Sequence, residues 1–381
     1  MNKSIENSLQ SDLEKRRLND SFRKLSCSKA EVDFCSNDYL GLSNSIELKE
    51  EIDRILVYQK EYSVGSTGSR LLSGNSIFTE TTESYLAKIF KGEKALLFNS
   101  GYNANLGLLS SVPKRGDVVL YDELSHASIK DGIRLSMAKK IMFRHNDLQD
   151  LDLKLSRTNS GNRFIVVESI YSMDGDRCPL KELVEIAKKH EAHIILDEAH
   201  STGVMGHKGA GMAIGMGLDA NIFARIYTFG KAMGVHGACV VGSTTLINYL
   251  INFSRSFIYT TALPFHSVAS IRASFDILGK NIKWQHDLDE KIKYFISYFN
   301  KLFSSSLERT KSESAIQSIL ISDNIRVKSI AKYINKCGYD VRPILSPTVK
   351  QGQERIRICL HRYNSKGEIE GMLNALKEGM L

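Results

Sequence analysis

Apolar positions along the chain follow two spacings, and the change between them marks the elements. From residue 94 to 242, short runs rich in branched and aromatic side chains recur: Ala95–Phe98, Val118–Tyr121, 140–143, 163–167, 193–196, Ile222–Ala224 and Ala238–Val241. The stretches between most of them carry apolar residues three and four apart, the mark of a helix. Strands alternating with helices in this way predict an α/β fold, a large and mainly parallel sheet of about seven strands covered on both faces. Functional groups then collect at the carboxyl ends of the strands.

The flanks read differently. Ile5 to Leu18 has apolar residues at helical spacing among charges, predicting an amphipathic first helix. A polar link leads to a short strand at Val32–Cys35, and a helix follows from Ser45 to Tyr58, capped at Asn44 or Ser45. A further helix is expected from Thr82 to Phe90. Beyond Phe265 the pattern is mostly helical to Ser304, with Trp284 inside it. A strand at Ile316–Ser322, a helix at Ile325–Lys336, a strand at Arg355–Cys359 and a helix from Ser365 then predict a smaller α+β domain. The expected division is 1–40 for the N-terminal helix and strand, 41–270 for the large domain, and 271–381 for the C-terminal domain.

Composition narrows this picture only slightly. A chain of 381 residues is too long for one small core. Hydrophobic content of 42% and charged content of 25% are ordinary for a globular protein. The net charge of +8 is spread out rather than blocked, which suits a solvated surface or a mild attraction for a polyanionic thioester. The six cysteines include no CxxC pair, so a reducing compartment and no zinc site are expected, with Cys239 and Cys359 as core thiols. With no apolar signal segment and no run of 18 apolar residues, the expected location is the cytoplasm, away from membranes.

The stretch Tyr227-Thr228-Phe229-Gly230-Lys231-Ala232-Met233-Gly234 places one lysine in a glycine-flanked loop between two apolar runs. An amine framed by apolar groups is expected to lose proton affinity, which is what Schiff-base chemistry requires. Its partner is Asp197, at the end of the apolar run Ile194-Ile195-Leu196. A carboxylate there needs a cation, and a pyridinium nitrogen is one. His126 can stack on such a ring, His200 can lie over it, and amides near Gly101 and Tyr102, opening a helix, can take a phosphate. Together these describe a pyridoxal-phosphate site. Residues 197–200 also spell DEAH, but a helicase needs a GxxxxGK[ST] loop upstream and the chain has none, so no nucleic-acid function is expected. His190, His193 and His200 do not form HExxH. The loop Gly65–Asn75 imitates a phosphate loop without its Lys-Ser/Thr ending.

The chain resembles the α-oxoamine synthases, fold-type I pyridoxal-phosphate enzymes that join an amino acid to an acyl thioester. The matching stretches are SNDYLGL (36–42), GSRLLSGN (68–75), NSGYNAN (99–105), DELSHAS (122–128), SIYSMDGD (169–176), DEAHSTG (197–203), TFGKAMG (228–234), YTTALP (259–264) and RIRICLH (355–361). Within that family, GSRLLSGN, SAIQSILISDN (314–324) and SPTVKQGQERIR (346–357) look most like the member that condenses L-alanine with pimeloyl-CoA or pimeloyl carrier protein. The resemblance implies an acyltransferase in which Lys231 carries the cofactor, Asp197 pairs with the ring nitrogen, His126 stacks and His200 meets the ring hydroxyl. It implies that Gly101, Tyr102 and Thr228 hold the phosphate and that Glu168 and Ser172 flank the ring. Thr260 or Thr261 would reach in from the second subunit of a homodimer, and Asn37 and Arg357 would bind the substrate carboxylate. A guanidinium is well shaped for that fork; the plain alternative for Arg357 is a solvent-facing charge on an edge strand.

Two departures stand out. Thr79 occupies a place where the family usually has histidine, and the segment before SNDYLGL is shorter than in many relatives. Sister members that take glycine or L-serine remain open, as does an inactive dimerising relative, though Lys231 and Asp197 speak against the last.

Overall fold

The computed structural model describes residues 3–25, 30–59, 62–158, 161–304, 306–346 and 348–381. Cys27 and part of the polar link after the first helix lie outside the described residues. The chain forms two compact units, one made of residues 37–172 and 177–288, the other of residues 1–36, 173–176 and 289–381.

The first unit is built on a seven-stranded sheet in the order Lys94–Phe98, Ala238–Gly242, Ala224–Thr228, His193–Asp197, Arg163–Glu168, Val118–Asp122 and Lys139–Phe143. Ala238–Gly242 runs antiparallel to both neighbours and the other pairings are parallel. The period-two geometry of a strand sends alternate residues to opposite faces, so each strand feeds two cores. Val119, Phe164, Val166, Ile195, Ile226 and Val240 pack on one face with Leu108 and Ile133. Val118, Leu120, Ile165, Val167, Ile194 and Leu196 pack on the other with Leu155, Leu183 and Met212. Strands covered on both faces are mostly apolar, which made them legible as runs, while the edge strand Lys139–Phe143 keeps Lys139, Lys140 and Met142 exposed.

Serines start many of the helices. Ser45, Ser76, Ser100 and Ser243 each accept the N–H of the third helical residue, satisfying a donor that the helix itself leaves open. The cap at Ser76 moves one expected boundary: that helix runs Ile77–Ile89, a turn earlier than Thr82. Ile77, its first residue, is exposed. Thr79 is buried in this first turn as the residue whose amide meets the cap. The strand expected at Ile222–Ala224 instead runs Ala224–Thr228. Arg225 disguised it: the arginine is buried, with Nη1 3.1 Å from the Tyr227 hydroxyl, and Tyr227 stacks on Phe90 at 3.6 Å between centroids.

The loop Gly65–Asn75 is a clamp rather than a phosphate cradle. Arg70 makes two hydrogen bonds to Glu83, at 2.8 and 3.0 Å, and Glu83 also accepts the Leu97 amide at 2.8 Å. A Cβ at Gly74 would lie 2.5 Å from that of Ala262, so the close approach requires glycine.

In the second unit, Arg342–Ile344, Arg355–Cys359 and Ile316–Leu320 form an antiparallel sheet in that order. Helices Asn324–Lys336 and Lys366–Gly379 bury Val327, Ile330 and Ile334, and Ile369, Leu373 and Leu376. Ser365 and Glu368 form a capping box that starts the last helix. The first helix spans Lys3–Leu18, but its apolar stripe of Ile5, Leu9 and Leu13 stays exposed. Among the described residues no helix is long and apolar enough to cross a membrane.

Leu196→Ala, in a strand whose other face is equally dry, should cost about 2–5 kcal/mol. Ile77→Ala, at an exposed first-turn position, should cost less than about 0.5 kcal/mol. Urea unfolding of the two variants checks the contrast.

Candidate active site

The carboxyl ends of the parallel strands meet along one edge of the sheet, and each delivers a polar side chain there. Phe98 leads through Ser100 into the helix Gly101–Ser111; Asp122 leads to His126; strand Arg163–Glu168 ends in Glu168; strand His193–Asp197 ends in Asp197, with His200 three residues on. Thr228 ends the strand before Lys231. These residues surround a cavity of about 250 Å³ that Asn37, Gly101, Tyr102, His126, Glu168, Asp197, His200, Thr228 and Lys231 all line.

Lys231 stands on a tight connection between strands Ala224–Thr228 and Ala238–Gly242. The turn is closed by Phe229 N–H to Gly237 O at 2.9 Å, Val235 N–H to Phe229 O at 3.0 Å and Gly234 N–H to Lys231 O at 2.8 Å. Gly234 has φ +66°, and a Cβ there would meet the Ser43 amide at 2.4 Å, so this corner of the turn has to be glycine. Lys231 Nζ is half-buried, 3.4 Å from Thr228 Oγ1, to which it donates.

Asp197 is buried and held from two sides. Its Oδ1 accepts the Ala199 amide at 2.8 Å and its Oδ2 accepts Asn105 Nδ2 at 2.7 Å. Next to it in parallel register lies Glu168, whose Oε1 accepts the His126 amide at 2.5 Å. Burial pushes the Glu168 carboxyl up to about 8, and the Asp197 charge pushes the same way. His126 caps the helix Ala127–Leu135: the Ser128 amide donates to Nδ1 at 3.2 Å, and the Ser128 hydroxyl lies 2.8 Å from the same nitrogen. A nitrogen that receives a backbone N–H carries no proton of its own, so the ring is neutral with its proton on Nε2. In agreement, desolvation by the cavity walls depresses the His126 pKa although one side of the ring is open; Asp197 opposes the shift and Lys231 adds to it. His200 is buried with Nδ1 2.8 Å from the Tyr39 hydroxyl, which also donates to Asn37 Oδ1 at 3.1 Å.

Pyridoxal phosphate fits this donor set. Gly101 and Tyr102 lie in the first turn of the helix Gly101–Ser111, where amides have no intrahelical acceptor, and this suits an anionic phosphate. Asp197 suits a protonated ring nitrogen, the His126 face suits an aromatic ring, and Lys231 supplies an amine for an aldehyde.

Other expected residues stand elsewhere. Ser172, Thr260 and Thr261 do not line the cavity. Asn99 Nδ2 donates to Thr260 Oγ1 at 3.3 Å and to Thr261 O at 2.8 Å. Arg357 belongs to the other unit, where it is half-buried on the central strand of the three-stranded sheet with Nη1 2.9 Å from Cys359 Sγ. The edge-strand alternative is thereby ruled out. Cys239 and Cys359 are buried as expected. Asn105 and Ser128 were missed. Asn105 follows Gly101 by one helical turn, a spacing that puts both on one face, so the signal was present in the NSGYNAN stretch.

Residues 29–376 match the family described as aminotransferase class I and II. A protein of Emericella nidulans named 8-amino-7-oxononanoate synthase is 40% identical, the match covering 98% of this chain and 95% of the relative. A serine palmitoyltransferase from S. paucimobilis, solved with bound PLP–myriocin, superposes with a TM-score of 0.88 at 26% identity, covering 100% of this chain and 98% of its own. The crystal structure of 8-amino-7-oxononanoate synthase from Francisella tularensis superposes with a TM-score of 0.74 at 29% identity, covering 91% and 97%.

Glu168 generates a pH prediction. Its carboxyl keeps its proton to about pH 8 in the folded state but releases it near 4.5 in the unfolded chain. The native state therefore binds more protons than the unfolded state across that window, and stability falls as pH rises through it. Glu168→Gln removes this contribution. Between about pH 6 and about pH 8.5 the variant should lose less stability than the parent, by on the order of 2 kcal/mol. Equal losses in urea unfolding of the cofactor-free proteins would show that Glu168 is not the titrating group.

Proposed function

The chain belongs to the aminotransferase class I and II family, and we propose that within it this protein is a pyridoxal-phosphate-dependent acyltransferase acting as 8-amino-7-oxononanoate synthase. The reaction joins L-alanine to pimeloyl-CoA, or to pimeloyl carrier protein, and releases CoA or the free carrier, carbon dioxide and 8-amino-7-oxononanoate, a step of biotin biosynthesis. What carries the reading is the single cavity that holds Lys231, Asp197, His126 and the helix opening at Gly101. The choice of substrates is supported by the names of the Emericella and Francisella relatives.

Bound pyridoxal phosphate supplies an aldehyde that exchanges between amines and a ring that accepts the electron pair left on the substrate α-carbon. The chain's own residues do the rest. Lys231 Nζ anchors the cofactor and, once the amino acid has displaced it, takes the α-proton as general base. Asp197, held by Asn105 and the Ala199 amide, accepts the ring N–H and keeps its proton in place. Because Glu168 is protonated up to about pH 8, it sets no second negative charge beside Asp197. His126, neutral, lays its ring against the cofactor without adding a cation that would compete for Asp197. Thr228 and the Gly101 and Tyr102 amides take the phosphate and His200 the ring hydroxyl, while Ser172, which does not line the cavity, is left without a part in it. Asn37 and Arg357 bind the amino-acid carboxylate. Thr260 and Thr261 serve the site of a second copy in a homodimer.

The superposition on serine palmitoyltransferase, closer than that on the Francisella enzyme, favours a second reading in which the amino acid differs. Glycine C-acetyltransferase and 5-aminolevulinate synthase stand with it as sister activities. Titrating the cofactor-loaded protein with L-alanine, glycine and L-serine and following its absorption separates them. A response confined to alanine, with turnover on adding pimeloyl-CoA, supports the proposal; a response confined to glycine or serine moves the protein to a sister activity.

Lys231→Ala should leave no measurable turnover, and retained turnover would remove the Schiff-base assignment. Arg357→Ala should raise KM for the amino acid about tenfold or more, as expected for a lost charge-assisted pair; an unchanged KM would take Arg357 out of the site.

A further inference from the structure

Asn105 lies on the helix that opens at Gly101, one turn further in, and is 2% exposed. Its side-chain amide spends both donors inside the protein, one on Asp197 Oδ2 at 2.7 Å and the other on Ser128 Oγ at 3.2 Å. Ser128 is equally buried, and its hydroxyl lies 2.8 Å from His126 Nδ1. A hydroxyl has one proton and two lone pairs. Having accepted from Asn105, it gives its proton to His126 Nδ1, the atom that already accepts the Ser128 amide. The directions are therefore set along the whole chain: Asn105 donates to Asp197 and to Ser128, and Ser128 donates to His126. Flipping the amide would bring its oxygen against the carboxylate, so the orientation is fixed by charge. One atom is left over. Asn105 Oδ1 is buried with no hydrogen-bond partner among the described residues. An unmatched buried acceptor opposes folding, and here it accompanies an amide whose two donors are both committed to the site.

We propose that Asn105 is a positioning residue that holds Asp197 and, through Ser128, His126 as one rigid unit around the cofactor ring. The proposal rests on the reading of this cavity as the pyridoxal-phosphate site. The same helix then serves both ends of the cofactor, with its first-turn amides toward the phosphate and its second-turn amide behind the carboxylate. Asn105 and Ser128 reach the cavity wall, and the part assigned to Asn105 there is to fix where the carboxylate points and which tautomer the histidine keeps. Ser128 carries the second half of that task, and a hydroxyl at 128 is sufficient for it.

The test is titration of cofactor-free protein with pyridoxal phosphate, read by absorption and by the induced circular dichroism of the bound ring, which reports its orientation. Asn105→Ala should weaken cofactor binding about tenfold or more and change the dichroic band, because it leaves Asp197 Oδ2 without its donor. Ser128→Ala should leave the affinity closer to that of the parent but change the dichroic band, since only the His126 arm is cut. Ser128→Thr, which keeps the hydroxyl, should restore the parent's band. Parent-like affinity and dichroism in Asn105→Ala would overturn the proposal, as would a parent-like band in Ser128→Ala. If Asn105→Ala does not fold, the Ser128 pair decides alone. Failure of the parent protein to bind pyridoxal phosphate would instead defeat the reading of the cavity, a result distinct from parent binding with variants that match it.

Discussion

Asp197 stands at the end of a central strand with almost no access to water, and that burial governs the residues around it. A carboxylate in such a place is costly unless it is hydrogen-bonded and meets a positive charge. The chain supplies the hydrogen bonds, from the Ala199 amide and Asn105. Its neighbours are arranged to stay uncharged: Glu168 keeps its proton, and His126 is held neutral by the donors on Nδ1. In the proposed reading Asp197 then pairs with the ring nitrogen of the cofactor. In that reading, the same residue that is expensive for the fold is the one that makes the ring an electron sink.

The sheet topology explains why these groups can meet at all. Parallel strands end on one edge, so Ser100, His126, Glu168, Asp197 and Thr228 arrive together although they span more than a hundred positions of sequence. The antiparallel strand Ala238–Gly242 adds the remaining piece. Because it returns directly beside Ala224–Thr228, the connection between the two has to be short, and Lys231 sits on that short connection rather than on a long crossover. A tight turn restrains an otherwise flexible lysine, and Gly234 makes the turn possible.

What could be read from the sequence follows from burial on two faces. Strands dry on both sides are apolar runs, and most of the sheet was visible for that reason. Where a buried strand carries a charge, as at Arg225, the run was misplaced toward Ile222. Ser45 and Ser76 are both serine caps followed at once by an exposed isoleucine, so burial does not account for the second start being placed a turn late. The residues that contact the cofactor in the proposed reading stood in recognisable stretches. Asn105 and Ser128 did not stand out, because their importance lies in what they hold, and a buried asparagine on an apolar helix reads as an imperfection of the core until its partners are seen.

That difference bears on how the chemistry and the substrate choice divide. In the proposed reading, groups at the strand ends serve Schiff-base formation, proton removal and charge dispersal, and none of these depends on which acyl chain is used. The shared fold with serine palmitoyltransferase is what that independence implies, since one edge of one sheet can support several amino acids and thioesters. Substrate choice must then come from side chains that the ring chemistry leaves unconstrained. Within the unit that holds the cavity, His236 lines the cavity, follows Lys231 by five positions, and lies outside the Asp197 network. Its place outside that network contrasts with Asn105, whose two side-chain donors are both committed.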